Sequence, residues 1–287
     1  RLRNDPLPAP SPALRLDRFG EGPGNRRAVQ AVRGILEAPG TRDNPLVIVG
    51  ASGTGKTHLL HAIGNQLAAL GGPVACVAAP AFAGEVSRLL QSGGLATWRS
   101  RYRQASALLL DDLHLLAGHA EAQEELLVLQ AHLLAHHRLV VVTANAAPAA
   151  LAGVEPRLLS RLEAGLVVEL PRPDREIRLQ VVKQLLAGSP AAGDSALADW
   201  LASRPADSIR AVQGAVHRVL RAAESEGVAP SPALATEVLD RSPLPARAPA
   251  PGSAAALPAA VFRGGLGPEK MVTVWPRLGD RLIEELD

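Results

Sequence analysis

Short apolar runs alternate with longer stretches of helical periodicity through the first part of the chain. Residues 46–49, 74–77, 108–110, 139–142 and 166–168 are continuously apolar, the pattern of strands buried on both faces. Between them apolar residues recur at near-helical spacing, as at Leu59, Ile63, Leu67 and Leu70. This alternation predicts an α/β domain over residues 14–172, a parallel sheet lying between helices. From Pro173 to 227 the strand pattern stops. Ile177, Val181 and Leu185 form one helical stripe, and Ile209, Val212, Val216, Val219 and Ala223 form another, opened by Asp207 and Ser208 as candidate caps. A small all-α domain is expected over 173–227.

The flanks read differently. Residues 1–13 carry Pro6, Pro8, Pro10, Ser11 and Pro12 and are expected to be a flexible leader. Residues 228–260 hold Pro230, Pro232, Pro243, Pro245, Pro249, Pro251 and Pro258, too many prolines to continue a helix, and are expected to be a linker. In residues 261–287, Trp275, Leu278, Leu282 and Leu286 share one helical face. So short a helix is marginal alone, which predicts a segment that docks on an unidentified protein.

Composition narrows the class. A chain of 287 residues, 47% hydrophobic and 20% charged, builds a core and does not read as disordered. The single cysteine, Cys76, excludes an internal disulfide framework. No apolar run reaches the roughly 18 residues that a membrane span needs, and no signal peptide is evident, so a cytoplasmic protein without membrane contact is expected. The chain opens on Arg1 rather than Met, which leaves open what precedes it. The net charge of +2 is uninformative; of the 30 basic residues only Lys56, Lys183 and Lys270 are lysines. With 2% aromatic residues, the chain has little to stack single-stranded bases on.

The chemistry concentrates in one stretch. Gly50-Ala51-Ser52-Gly53-Thr54-Gly55-Lys56-Thr57 matches G-x-x-x-x-G-K-[ST], and it lies between a predicted strand and a predicted helix. Gly50, Gly53 and Gly55, with Thr54, let backbone N–H groups turn around phosphate oxygens. The helix N-terminus adds partial positive charge. Lys56 supplies a point charge for the β- and γ-phosphates, and the Thr57 hydroxyl a ligand for Mg²⁺. Asp111 and Asp112 follow the apolar run 108–110. Acids at the C-terminal end of a buried strand arrive at the ligand crevice of an open sheet. Asp111 is expected to hold Mg²⁺ and Asp112 to polarise the attacking water. The next strand ends in Thr143-Ala144-Asn145, which places a polar group near the γ-phosphate. The histidine pairs His132/His136 and His58/His61 have no third ligand at a regular spacing, so no metal other than Mg²⁺ is expected.

Several stretches together resemble one family. They are residues 22–26, 55–64, 98–103, 110–113 with 116–118, 123–125, 151–155, 157–161 and 209–215, collinear within residues 14–226. They are similar to the AAA+ module of the bacterial chromosomal replication initiator, DnaA. That resemblance implies an ATPase core with a helical lid, binding ATP or ADP with Mg²⁺. It places Gly22 and Asn25 near the adenine and His58 beside the phosphate loop. It puts Asn145 at the first sensor position, where initiators usually carry Asp, and Arg210 at the second sensor. Arg161 matches the arginine finger that reaches a neighbouring subunit's ATP, a contact worth on the order of 10³–10⁵ in rate.

The departures matter too. Nothing after Glu226 resembles the initiator's duplex-reading domain, and no N-terminal helicase-contacting domain is seen. Where the family often shows basic residues facing single-stranded DNA, this chain has His119 and Glu121; a negative charge weakens a phosphate contact. Arg88, Arg99, Arg101 and Arg103 are the remaining candidates for a DNA contact. The resemblance therefore implies a role in replication initiation or its regulation, through ATP-dependent assembly with itself or with a full-length initiator across Arg161. A short homologue similar to the regulator Hda fits best, although residues 1–13 lack a recognisable clamp-binding peptide. The alternatives are an ATP-switched adaptor with little turnover, docking through residues 261–287, and a helicase-loader-like AAA+ protein.

Overall fold

A computed structural model of the chain describes residues 6–41 and 43–240. The α/β part contains α1 (Arg26–Glu37), β1 (Leu46–Val49), α2 (Lys56–Ala69), β2 (Val74–Ala78), α3 (Ala79–Ser92), α4 (Leu95–Arg103), β3 (Ala107–Asp111), α5 (Ala120–Ala135), β4 (Leu139–Ala144), α6 (Pro156–Glu163) and β5 (Leu166–Glu169). The helical part contains α7 (Arg175–Leu186), α8 (Ser195–Ser203), α9 (Ile209–Glu226) and α10 (Pro232–Asp240).

All strand pairs are parallel, in the order β2-β3-β4-β1-β5. The predicted apolar runs are these strands. Alternate residues serve opposite cores: Val47, Val49, Leu108, Leu110, Val140 and Val142 pack with α3, α4 and α5, while Leu46, Ile48, Leu109, Leu139 and Val141 pack with α1 and α2. After β1 the chain crosses to the far edge at β2, so β1 borders the point where strand order reverses. In open α/β sheets the crevice outside the strand C-termini at that point takes the ligand.

The leader and linker expectations change where the structure describes them. Residues 6–13 do not form a loose tail. Pro8 O accepts the Cys76 N–H at 2.7 Å and so covers the exposed edge of β2; proline lacks a donor but keeps its carbonyl. Ser11 N donates to His61 Nδ1 at 3.0 Å, and Asn65 Nδ2 donates to Ser11 O and Leu14 O. Cys76 is buried in β2, and burial pushes its thiol up to about 12.

Within 228–260, residues 232–240 form α10. Pro232 sits at the helix start, where a missing N–H costs nothing, and Ser231 Oγ accepts Leu234 N–H at 3.3 Å. Ala235 and Leu239 join the core of the helical part with Val182, Leu197, Leu201 and Val216. The rest of the expected linker and the docking segment 261–287 lie outside the described residues. No described helix is long and apolar enough to cross a membrane.

Candidate nucleotide-binding site

β1 ends at Val49, and the chain turns through residues 50–55 into α2. Gly53 and Gly55 hold φ of +76° and +107°, a conformation that favours glycine. A methyl group at Gly50 would stand 2.4 Å from Leu170 O. Gly55 caps α2 without a side-chain hydrogen bond. The first-turn N–H groups of a helix have no intrahelical acceptor, and with the helix dipole they form an anion seat.

Charged groups converge on this turn. Lys56 is 5% exposed, and its ammonium donates to Gly50 O at 2.8 Å and Ala51 O at 3.0 Å. Burial lowers its pKa; the charges of Asp112 and then Asp111 oppose that shift, and Arg210 adds to it. Thr57 Oγ1 donates to Asp111 Oδ2 at 2.7 Å. Thr143 Oγ1 donates to Asp111 Oδ1 at 2.5 Å, and Asp112 N donates to Thr143 Oγ1 at 2.8 Å. Burial, and next the charge of Asp111, raise the Asp112 pKa; His114, Lys56 and Arg210 oppose them. The hydroxyl of Thr57 beside the carboxylate of Asp111 is a hard oxygen pair of the kind Mg²⁺ takes, with water completing its shell.

The helical part closes over the loop. Ile209 N donates to Gly53 O at 2.7 Å. Arg210 Nη1 lies 3.3 Å from Ser52 Oγ. Ser208 caps α9, accepting Ala211 N–H at 3.2 Å, whereas Asp207, the other candidate cap, pairs with Arg172 at 2.6 Å. A methyl at Gly53 would stand 2.7 Å from Ser208 Cβ. Gly53→Ala is therefore expected to cost about 1–3 kcal/mol, read as a lower urea midpoint. An unchanged midpoint would show that this contact is not made.

The remaining expected residues fall into distinct places. The loop at residues 20–25 packs on α7: Gly24 N donates to Asp174 Oδ2 at 3.0 Å, and Gln180 bonds both N and O of Glu21. Asn25 is buried, and its amide is spent inside the loop, accepting from Gly22 N at 2.9 Å and donating to Gly20 O at 2.7 Å. It shapes the loop from within. His58 Nε2 lies 2.8 Å from Arg15 O, and its ring meets Phe19 edge-on. Phe19 also lies against Gly55, so His58 and Phe19 bring residues 15–19 to the loop. Asn145 is exposed just past β4, at the loop mouth, since Gly50 N donates to Ala144 O at 3.2 Å. Arg161 is exposed on α6 and contacts Leu127 O at 3.4 Å. Its described hydrogen bond is to α5, away from the phosphate loop.

Two of the arginines proposed for DNA are engaged internally. Arg99 Nε donates to Glu125 Oε2 at 2.7 Å, and Arg101 pairs with Glu85 at 3.2 Å. Trp98 and Tyr102 on the same helix are buried, both bonded to Glu85. A cleft of about 670 Å³ lies apart from the phosphate loop, lined by Leu90, Val154 and Pro156 with Glu121, Glu124, Glu125 and Glu155. Its lining has no basic side chain, and carboxylates repel phosphate.

Comparison with known proteins decides the family. Residues 12–169 match the bacterial DnaA ATPase domain. The chain belongs to the DnaA ATPase-domain family. It is 37% identical over 221 residues to the chromosomal replication initiator protein DnaA of Sphingopyxis alaskensis, covering 75% of this chain and 48% of that protein. Domain III of Thermotoga maritima DnaA aligns at a TM-score of 0.75 and 28% identity, over 81% of this chain and 98% of that one. A DnaA bound to AMPPCP and single-stranded DNA aligns at 0.68 and 30% identity, over 76% and 69%. The chain spans about half the length of the curated DnaA relatives it matches.

The sequence names Thr143 and Ser52 only as members of their motifs and gives no role to Phe19 or Asp174. Thr143 alone had a local signal, a hydroxyl at the tip of a buried strand; the others take their roles from contacts distant in sequence.

Proposed function

We propose that the chain is a Mg²⁺-dependent ATPase module acting in replication initiation or its control, through ATP-dependent assembly with itself or with a full-length initiator. The observation that carries this reading is the Thr57–Asp111 contact at 2.7 Å, at the start of the helix that the glycine turn opens, a turn that also bonds Lys56 and Arg210. The DnaA neighbour bound to AMPPCP supports it. N–H groups at the start of α2 bind the phosphates, and Lys56 exchanges its carbonyl partners for phosphate oxygens. Thr57 and Asp111 would hold Mg²⁺, which supplies Lewis-acid neutralisation of the leaving phosphates. Asp112 orients and polarises water. Arg210 leaves the neutral Ser52 hydroxyl for the stronger attraction of a phosphate and draws the helical part down. Arg161, exposed and unengaged with its own loop, stabilises charge in a neighbouring subunit.

The internal pairing of Arg99 and Arg101 and the acidic cleft weigh against single-stranded DNA as the main partner. Arg161→Ala tests the assembly directly. ATP affinity is expected to stay within about twofold, while turnover in concentrated or initiator-mixed samples falls by about 10²-fold or more. Equal loss of affinity and turnover would mean that Arg161 serves its own site. Tight ATP binding without turnover, alone or with an initiator, would overturn the ATPase reading.

A further inference from the structure

Thr143 is the last but one residue of β4 and is fully buried. The β3–β4 register pairs Leu110 with Val142, which brings the Thr143 side chain level with Asp111. The hydrogen positions follow from the partners. An ionised carboxylate only accepts, so the Thr143 hydroxyl proton goes to Asp111 Oδ1, at 2.5 Å. The Thr143 oxygen then accepts the Asp112 N–H, at 2.8 Å. Asp111 Oδ2 takes the Thr57 hydroxyl. Both carboxylate oxygens are thus fixed, one from α2 and one from β4.

The second consequence concerns the backbone. Asp112 has φ +58° and ψ +53°, a left-handed conformation that non-glycine residues adopt at a cost. It persists only where the surroundings hold it; Asp112 N bonds Thr143 Oγ1 and Asp112 O accepts Leu115 N–H at 2.9 Å. That turn ends β3 and leads the chain into the short helical turn at Leu113–Leu116.

We propose that Thr143 is a positioning residue that sets both acids through one hydroxyl, fixing the rotamer of Asp111 and the backbone turn of Asp112. This rests on the ATPase reading above, but its test does not. Thr143→Val keeps the shape and removes the hydroxyl; Thr143→Ser keeps the hydroxyl. Amide hydrogen exchange at Asp112, measured on the full chain without nucleotide, is expected to speed by about tenfold or more in Thr143→Val and to stay near wild type in Thr143→Ser. Turnover of Mg²⁺–ATP should fall by about 10–100-fold in Thr143→Val, since misplacement by about 1 Å costs on that order. The ATP Kd should stay within about threefold, with turnover restored by serine. Melting temperatures of all three proteins separate a packing loss from a positioning loss.

Unchanged exchange at Asp112 in Thr143→Val would overturn the proposal. So would turnover equal to wild type, or a loss that serine does not rescue. A wild-type protein that binds but never hydrolyses ATP would sink the ATPase reading alone, because the exchange measurement still decides the role of Thr143.

Discussion

Lys56→Ala is expected to erase the rise in melting temperature that ATP gives the wild-type protein. ATP present at about 100–1,000 times its Kd stabilises by about 2.7–4.1 kcal/mol. For a domain of this size that is about 5–15 °C. The expectation is specific because, among the described residues, the hydrogen bonds of Lys56 go to the loop itself. Its ammonium bonds Gly50 O and Ala51 O, and Ala51 is exposed, so water replaces at least that contact. Removing the side chain also relieves the burial of a charge, the main cause of its lowered pKa. The substitution should therefore leave the protein without ATP nearly as stable as before. A melting shift with ATP equal to wild type would place the nucleotide elsewhere.

Asp112→Asn should separate binding from chemistry. Asparagine keeps the size of the side chain and tolerates the left-handed φ of this position as well as aspartate does. The bond from residue 112 N to Thr143 is a backbone bond and survives. What is lost is the carboxylate that polarises water. Turnover is expected to drop by about 10²–10⁴-fold, the usual share of a general base, with ATP affinity unchanged or tighter, since one negative charge near the phosphates is gone. A parallel fall in affinity and turnover would show that residue 112 serves binding. The two substitutions thus divide the site into a seat, carried by Lys56, and a reaction centre, carried by Asp112.

The phosphate loop and the acids were legible because their signals are local. A glycine-rich turn between an apolar run and a helical stripe has one main use, and acids ending a buried run must surface at the sheet's C-terminal edge. The sheet itself was legible from strands apolar on both faces, as Leu108 and Leu109 serve opposite cores. What stayed hidden depends on pairs far apart in the chain. Thr143 reaches Asp111 only through the register of β3 on β4. Arg210 meets Ser52 across 158 positions. Asn25, which the resemblance places near the adenine, closes its amide on Gly20 and Gly22, a contact the sequence does not show. The prolines of residues 6–12 and Pro232 suggested loose chain, because proline counts record lost donors and not the carbonyl that Pro8 lends to β2 or the helix start that Pro232 suits.

The most direct test is the structure of the protein with AMPPCP and Mg²⁺. The triphosphate should lie along the N–H groups of residues 53–57, with the metal between Thr57 and Asp111 and with Arg210 turned from Ser52 to the γ-phosphate. A nucleotide bound anywhere else, or a loop that stays empty at millimolar AMPPCP, would contradict the account.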